Sequence, residues 1–387
     1  MRFYHFTEQP YPDAWDPRAA SLRITLPNAL CDPVTASGLI NRYLDEWSFS
    51  DELGFDIMVN EHHSTATCLS PSVNLVLAML ARGTSRAKLL ALGVPLANRS
   101  DPLRIAEELS VIDVVSKGRL EMGFVKGVPY EVAPANSNPS RMMDRLWESH
   151  DFILKAMTHR DGPFNWEGEH FHYRSVNIWP RPYQDPHPPV WITSLSPSSV
   201  RPVAEKGYVL ATFLNGLGAR TMFDAYRKVW AETHETPPPA DRFAYLAMCA
   251  VADTEDEALR RAHKIAGYVR TTGIVAEPFT LPPGYVAPQA VAATLKHGKG
   301  ASHHTLTTAS GKAIDATTAS MQDLIDARLL FAGTPDQVHD QIVRFSDEVG
   351  GLGNFLMMMQ GGDLSHAETT NSIKLFGQNI LPRLKVG

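Results

Sequence analysis

Short apolar runs alternate with longer amphipathic stretches along this chain. That is the pattern of βα units around a parallel sheet. Residues 2–6 (RFYHF) read as a first strand. Residues 34–53 read as a helix, with Pro33 suited to its start and Gly54 to its stop. FDIMVN at 55–60 predicts a second strand, 71–81 a helix ended by Gly83, and AKLLALGVP at 87–95 a third strand. Asp101 suits the cap of the next helix and Pro102 its first position. Leu103, Ala106, Leu109 and Ile112 form its apolar stripe, Gly118 ends it, and 120–125 is a fourth strand.

After a long helix at 141–157 the pattern changes. FNWEGEHFHY at 164–173 alternates around a Glu-Gly turn, as a hairpin does, and PRPYQDPHPP at 180–189 suits no regular element. Together they predict a hairpin insertion over about 161–189. Strands resume at 190–193, 208–212, 242–251 and 354–359, with helices at 198–206, 219–233, 255–268 and 365–384. Eight strands with intervening helices predict a (β/α)8 TIM barrel, with residues 1–387 as one domain. An open doubly wound sheet is the rival, but no GxGxxG follows the first strand. Residues 271–320 are rich in Gly, Pro, Ala, Thr and His and lack periodicity. They read as a mobile lid over the barrel mouth or as a tolerated surface insertion.

Composition narrows the class. With 44% hydrophobic and 20% charged residues, the chain has the balance of a soluble globular protein with a sizeable core. A net charge of −6 argues against a binder of nucleic-acid backbone. Cys31, Cys68 and Cys249 form no CxxC pair, which points away from a zinc cage or disulfide framework and toward a reducing cytoplasm. The opening residues lack a signal-peptide pattern, and no apolar run reaches the length of a membrane span.

In such a barrel, function gathers at the C-terminal ends of the strands. Glu61-His62-His63 follows the second strand. The trio can relay protons near neutral pH, contribute to a metal site, or serve structure alone. His5, His170, His172, His303 and His304 are the further ligands a metal would draw on. The fourth strand runs into Gly123-Phe124-Val125-Lys126-Gly127, which brings a cation to the rim. The fifth ends in Thr193-Ser194-Leu195-Ser196-Pro197-Ser198-Ser199. Ser196 suits an N-cap, so this turn is either an ordinary capped helix or, with Lys126 beside it, a phosphate site.

In this order, these pieces resemble the bacterial-luciferase-like monooxygenases. The carriers are Glu61-His62-His63 after an FD-type strand, and Asp101-Pro102, Ala106-Glu107-Glu108, Asp113 and Ser116-Lys117-Gly118-Arg119 before the glycine-rich strand end. The proline-rich loop, the PVWIT strand, the serine turn and Ala332-Gly333-Thr334-Pro335 also follow family order. The resemblance implies a two-component FMN-dependent monooxygenase. It would take reduced FMN and O2, work through a flavin peroxide, and depend on a separate NAD(P)H-dependent flavin reductase. By the same resemblance His62 guards the peroxide, with Glu61 or His63 fixing its tautomer. Lys126, Leu195, Ser196 and Ser199 hold the FMN phosphate. Gly93-Val94 carries a non-proline cis peptide under the isoalloxazine, and Asn98 contacts the ring or ribityl chain. Phe6, Tyr130 and Trp179 are loose candidates for an apolar substrate pocket. The family's dimer forms through the helices after strands two and three. Luciferases carry a cysteine at Val125, an arginine at Lys126 and a glutamate at Leu195, and these departures point away from light emission. Transfer of hydride with a reduced 5-deazaflavin and metal-dependent hydrolysis are the rival activities. A non-catalytic flavin binder is a third.

Overall fold

A computed structural model describes residues 1–16, 18–194, 196–286 and 305–384. The strands are β1 (Arg2–Thr7), β2 (Asp56–Val59), β3 (Leu89–Pro95), β4 (Leu120–Val125), β5 (Phe164–Glu167), β6 (His172–Val176), β7 (Val190–Thr193), β8 (Val209–Phe213), β9 (Phe243–Val251), β10 (Thr305–Thr307), β11 (Ala313–Asp315), β12 (Leu330–Gly333) and β13 (Asn354–Gln360). Eight of them pair in parallel in the order β1-β2-β3-β4-β7-β8-β9-β13, and β13 returns to β1, which closes the barrel.

Alternation sorts the side chains. Tyr4, Phe6, Met58, Leu90, Leu92, Trp191, Leu246 and Met358 fill the interior, while Phe3, Ile57, Val59 and Phe124 pack outward against the helices. At the strands' N-terminal end, Arg2 pairs with Asp56 at 2.9 Å and Glu121 at 2.7 Å, and the Tyr4 hydroxyl donates to Glu121 at 2.8 Å. This network ties β1, β2 and β4 together from inside and leaves the opposite end for chemistry.

The helix signals are physical caps. Asp32 accepts from the Thr35 amide at 2.7 Å at the start of helix Pro33–Glu52, and Asp101 accepts from the Leu103 and Arg104 amides at the start of Pro102–Ser116. Each such cap contributes about 1 kcal/mol. Trp47 on the first helix is fully buried and donates its indole N–H to the His5 carbonyl at 3.3 Å.

Several expectations change. A ninth strand, β12, which the periodicity does not predict, pairs with Met248–Val251 of β9 above the point where β8 ends. Within 271–320, β10 and β11 form an antiparallel hairpin, while 287–304 lie outside the described residues. The helix expected at 198–206 is a single 3-10 turn, Pro197–Ser199, followed by the short helix Arg201–Glu205. Pro202 lacks an amide N–H and is tolerated only in a first turn, so the helix restarts around it. The helix expected at 255–268 breaks between Ile265 and Gly267, where a side chain on Gly267 would lie 3.3 Å from Trp15. The hairpin expected at 164–173 is β5–β6.

Candidate active site

The rim around the C-terminal ends of β2, β3, β4 and β7 brings most of the candidate residues together. His62 follows β2. Its Nδ1 lies 3.0 Å from Glu131 Oε1 and 3.0 Å from the Tyr130 hydroxyl. The Glu131 carboxylate also accepts from the His63 amide at 2.9 Å. It is therefore Glu131, not Glu61 or His63, that orients the His62 ring. With Nδ1 engaged, Nε2 is the ring nitrogen left for a ligand.

Electrostatics at this pair are a contest. Burial favours neutral His62, but the Glu131 charge and hydrogen bond outweigh it and raise the imidazole above its ordinary pKa. Burial likewise opposes the Glu131 charge, yet His62 and the His63 amide hold its pKa below the ordinary carboxylate value. The His62 side chain is 16% exposed and that of Glu131 is 2% exposed, so solvent screens the pair little.

Glu61 faces elsewhere. It pairs with His63 Nε2 at 3.0 Å and Arg99 at 2.5 Å, and accepts from the Val73 amide at the start of helix Val73–Gly83. Its geometry is that of an anchor for the β2 loop. His5 is sealed beneath helix Pro33–Glu52, paired with Ser50 at 2.6 Å, and burial lowers its pKa to about 3. His170 and His172 belong to the β5–β6 hairpin segment, and His303 and His304 lie outside the described residues. Among the described residues, no three His, Cys, Asp or Glu side chains gather as a metal would require.

Lys126 and the serine turn leave neighbouring strands, since Phe124 of β4 sits opposite Ile192 of β7. The Ser194 hydroxyl lies 2.6 Å from that of Ser199 and 3.1 Å from the Ser196 carbonyl, and the Ser196 and Ser198 hydroxyls pair at 2.7 Å. Ser196 does not cap a helix through its side chain, so the expected helix-dipole contribution is absent and hydroxyls carry the polarity. Leu195 lies outside the described residues. Lys126 Nζ donates to the Tyr285 carbonyl at 2.6 Å and sits 3.6 Å over the Tyr285 ring, whose hydroxyl donates to the Gly127 carbonyl at 2.7 Å. Burial lowers the Lys126 pKa.

The non-proline cis peptide is at Leu92–Gly93, one residue before the expected Gly93–Val94. Gly93 occupies a register irregularity between β3 and β4, and Val94 turns its side chain into the helix-side core. Asn98 is the most informative residue here. Both heteroatoms of its carboxamide are buried and unpaired. They sit against Gly127, where φ is +97° and a Cβ would come within 2.6 Å of Asn98 Nδ2. An ammonium, clustered hydroxyls and an unpaired buried carboxamide at adjacent strand ends match the needs of a phosphorylated flavin.

The remaining aromatic candidates divide. Tyr130 is in the site, Phe6 is interior barrel packing, and Trp179 is 83% exposed on the loop that enters β7. The sequence reading missed Glu131, although Pro129-Tyr130-Glu131 directly follows the glycine-rich strand end. It also missed Arg23, which donates to the Tyr130 hydroxyl, and Glu8, which accepts from Asn60 at 2.9 Å. Two cavities flank this rim. One of about 560 Å³ is lined by Ile24, Leu26, Cys31, Ser64, Thr65 and Leu69. The other, about 820 Å³, is lined by Trp15, Arg260, His263, Lys264, Arg270 and Asp363 among others.

Known proteins share this architecture. The luciferase-like monooxygenase profile matches residues 26–351. An uncharacterized protein, y4wF, of Sinorhizobium fredii is 31% identical over 227 residues, 57% of this chain and 66% of that protein. The oxygenase component of a flavin-dependent trigonelline monooxygenase from Acinetobacter baylyi is 27% identical over 172 residues, 43% of this chain and 47% of that one. The chain thus spans about half to two thirds of the length of these curated relatives. Among solved structures, the oxygenating constituent of 3,6-diketocamphane monooxygenase from Pseudomonas putida, in complex with FMN, superposes with a TM-score of 0.73 at 19% identity, covering 100% of this chain and 98% of that one. A coenzyme F420 dependent tetrahydromethanopterin reductase from Methanopyrus kandleri superposes with a TM-score of 0.65 at 17% identity, covering 99% of each chain. At these identities the superpositions speak to the fold.

Proposed function

The chain belongs to the luciferase-like monooxygenase family, and from that membership we propose that it is the oxygenase component of a two-component system, using reduced FMN and O2 to oxygenate a small organic substrate. A separate NAD(P)H-dependent reductase supplies the reduced flavin. The flavin, when bound, supplies the electrons that activate oxygen. The chain's own residues do the rest. Lys126, Ser194, Ser196 and Ser199 hold the phosphate, with Leu195 in the same turn, and Asn98 offers its unpaired carboxamide to the cofactor. Gly93 and Val94 contribute backbone beneath the ring. His62 presents Nε2 as a proton donor or acceptor, held in register by Glu131 through Nδ1. Glu61 and His63 brace that loop.

One observation carries this reading. Asn98, with both heteroatoms buried and unpaired, sits between the protonatable His62 loop and the Lys126–serine cluster in the order of strand ends. The phosphate side recognises any flavin phosphate, and F420-dependent proteins share the fold, so hydride transfer with a reduced 5-deazaflavin is the second reading. Anaerobic titration with each reduced cofactor, followed by oxygen, separates the two. Tighter binding of reduced FMN and oxygen-dependent return of the oxidised-flavin absorbance are expected. Tighter binding of the deazaflavin, without oxygen uptake, would establish the second reading. Failure of both to bind would return attention to metal-dependent hydrolysis.

We also propose a homodimer. Helices Val73–Gly83 and Pro102–Ser116 pack side by side and leave Leu75, Met79, Val111 and Val115 exposed at 68%, 48%, 43% and 44%. Paired apolar positions at i, i+4 on adjacent helices form the stripe an isologous interface uses. Leu75→Glu with Met79→Glu is expected to convert a dimer to a folded monomer in sedimentation velocity, with circular dichroism unchanged. A monomeric parent protein would overturn the proposal. No described helix is long and apolar enough to cross a membrane, which agrees with a cytoplasmic setting.

A further inference from the structure

Arg23 lies on the long loop after β1, in a segment whose backbone is held from two sides. The Leu22 amide donates to the Ile274 carbonyl at 3.0 Å, and the Leu22 carbonyl accepts from the Ala66 amide at 3.2 Å. The Ile24 amide donates to the Ser64 carbonyl at 2.6 Å, and the Arg23 amide donates to Ser21 Oγ at 3.0 Å. The side chain therefore leaves a fixed base. It ends as a guanidinium only 2% exposed. Nη1 donates to the Tyr130 hydroxyl, and the cation sits 4.5 Å over the Tyr130 ring. Nε is buried and has no acceptor. Among the described residues Arg23 forms no ion pair. The nearby carboxylate of Glu8 is already engaged by Asn60 at 2.9 Å and by the Tyr268 hydroxyl.

A buried guanidinium without a counterion is an expensive thing to keep, and folding alone gives no return for it. Its open edge has the geometry that grips a planar oxyanion. Tyr130 adds location, because the hydroxyl that accepts from Arg23 is also 3.0 Å from His62 Nδ1. We propose that Arg23 is the specificity-determining residue of this site and that the substrate is a small organic acid whose carboxylate pairs with Arg23. This rests on the oxygenase reading above. A bound carboxylate satisfies Nε, neutralises the buried charge, and sets the rest of the molecule beside the His62 loop. The rival is that Arg23 only props Tyr130.

The test uses the FMN-loaded protein and two pairs of probes matched in shape, benzoate with benzamide and octanoate with octanamide, by isothermal titration. FMN binding is followed separately by absorbance, so loss of FMN binding counts against the oxygenase reading and not against Arg23. In the parent protein at least one acid is expected to bind about 10–100-fold tighter than its amide, the range of a charge-assisted hydrogen bond. Arg23→Gln keeps a donor for Tyr130 and is expected to erase that preference while FMN binding stays unchanged. Arg23→Lys keeps charge without the fork and is expected to fall between. No preference for either acid in the FMN-loaded parent would overturn the proposal, as would a preference that survives Arg23→Gln. If Arg23→Gln does not fold, the parent and Arg23→Lys comparisons decide.

Discussion

Glu131→Gln is expected to drop the His62 pKa from above the ordinary imidazole value to below it. Burial is the largest influence on His62 and favours the neutral ring; Glu131 reverses the sign through its charge and its hydrogen bond. Glutamine keeps the shape and a carbonyl oxygen for Nδ1 but removes the charge, so burial then decides. The Cε1 proton resonance of His62, followed against pH, reads this directly. A His62 pKa that stays raised in the variant would show that Glu131 is not the source. The linkage has a defined sign. His62 has a raised folded pKa, so its contribution to stability is fully present below about 6.5, the unfolded imidazole value, and is lost as pH rises through the raised value. Glu131 has a lowered folded pKa, so its contribution is present above its unfolded value and is lost as pH falls through the lowered one. The pair therefore stabilises most between the two, and Glu131→Gln should flatten both limbs of a Tm-against-pH curve. His62→Ala removes the group that places the proton. On mixing the protein-bound reduced FMN with oxygen, the oxidised-flavin absorbance is expected to return about 10²-fold sooner in His62→Ala, the scale of a positioned acid–base group. An unchanged trace would remove His62 from the chemistry.

How these residues meet shows what the chain discloses on its own. The eight barrel strands were legible because each is a short apolar run bounded by turn residues, and the helix starts at Pro33 and Pro102 because their caps are local chemistry. β12 escaped notice because LFAG is four residues long and follows an irregular segment, and its partner is the upper half of a strand already counted. The helix after β7 was overdrawn because the cap signature at Ser196 was read without weighing Pro202. Glu61-His62-His63 was visible as a cluster, but which carboxylate holds His62 was not. Glu131 is 69 residues away and reaches His62 only when the ends of β2 and β4 come together around the rim. Arg23 shows the same limit, since a lone arginine in a loop is ordinary until its guanidinium proves buried.

Lys126 carries the other large effect. Lys126→Ala is expected to weaken FMN binding about 10–100-fold, since a charge-assisted bond to phosphate contributes about 1.5–3 kcal/mol. Riboflavin, which lacks the phosphate, should bind the parent and the variant equally, and this contrast assigns the loss to the phosphate rather than to a disturbed fold. Equal losses for FMN and riboflavin would place the phosphate elsewhere. In the cofactor-free protein Lys126 is already satisfied by the Tyr285 carbonyl and ring. Binding a phosphate therefore exchanges partners rather than filling a void, and the net gain should lie toward the lower end of that range. Burial also lowers the Lys126 pKa, so the ammonium is lost at a lower pH than for an ordinary lysine. FMN affinity should accordingly fall on the alkaline side before a solvent-exposed lysine would deprotonate, and that fall should be absent in Lys126→Ala. Asn98 gives the complementary signature. Its unpaired carboxamide costs the cofactor-free fold about 1–3 kcal/mol. Asn98→Ala should thus raise the Tm without FMN and lower FMN affinity at once. That opposed pair of shifts marks a residue built for a ligand, because a residue serving the fold alone would lose stability when removed.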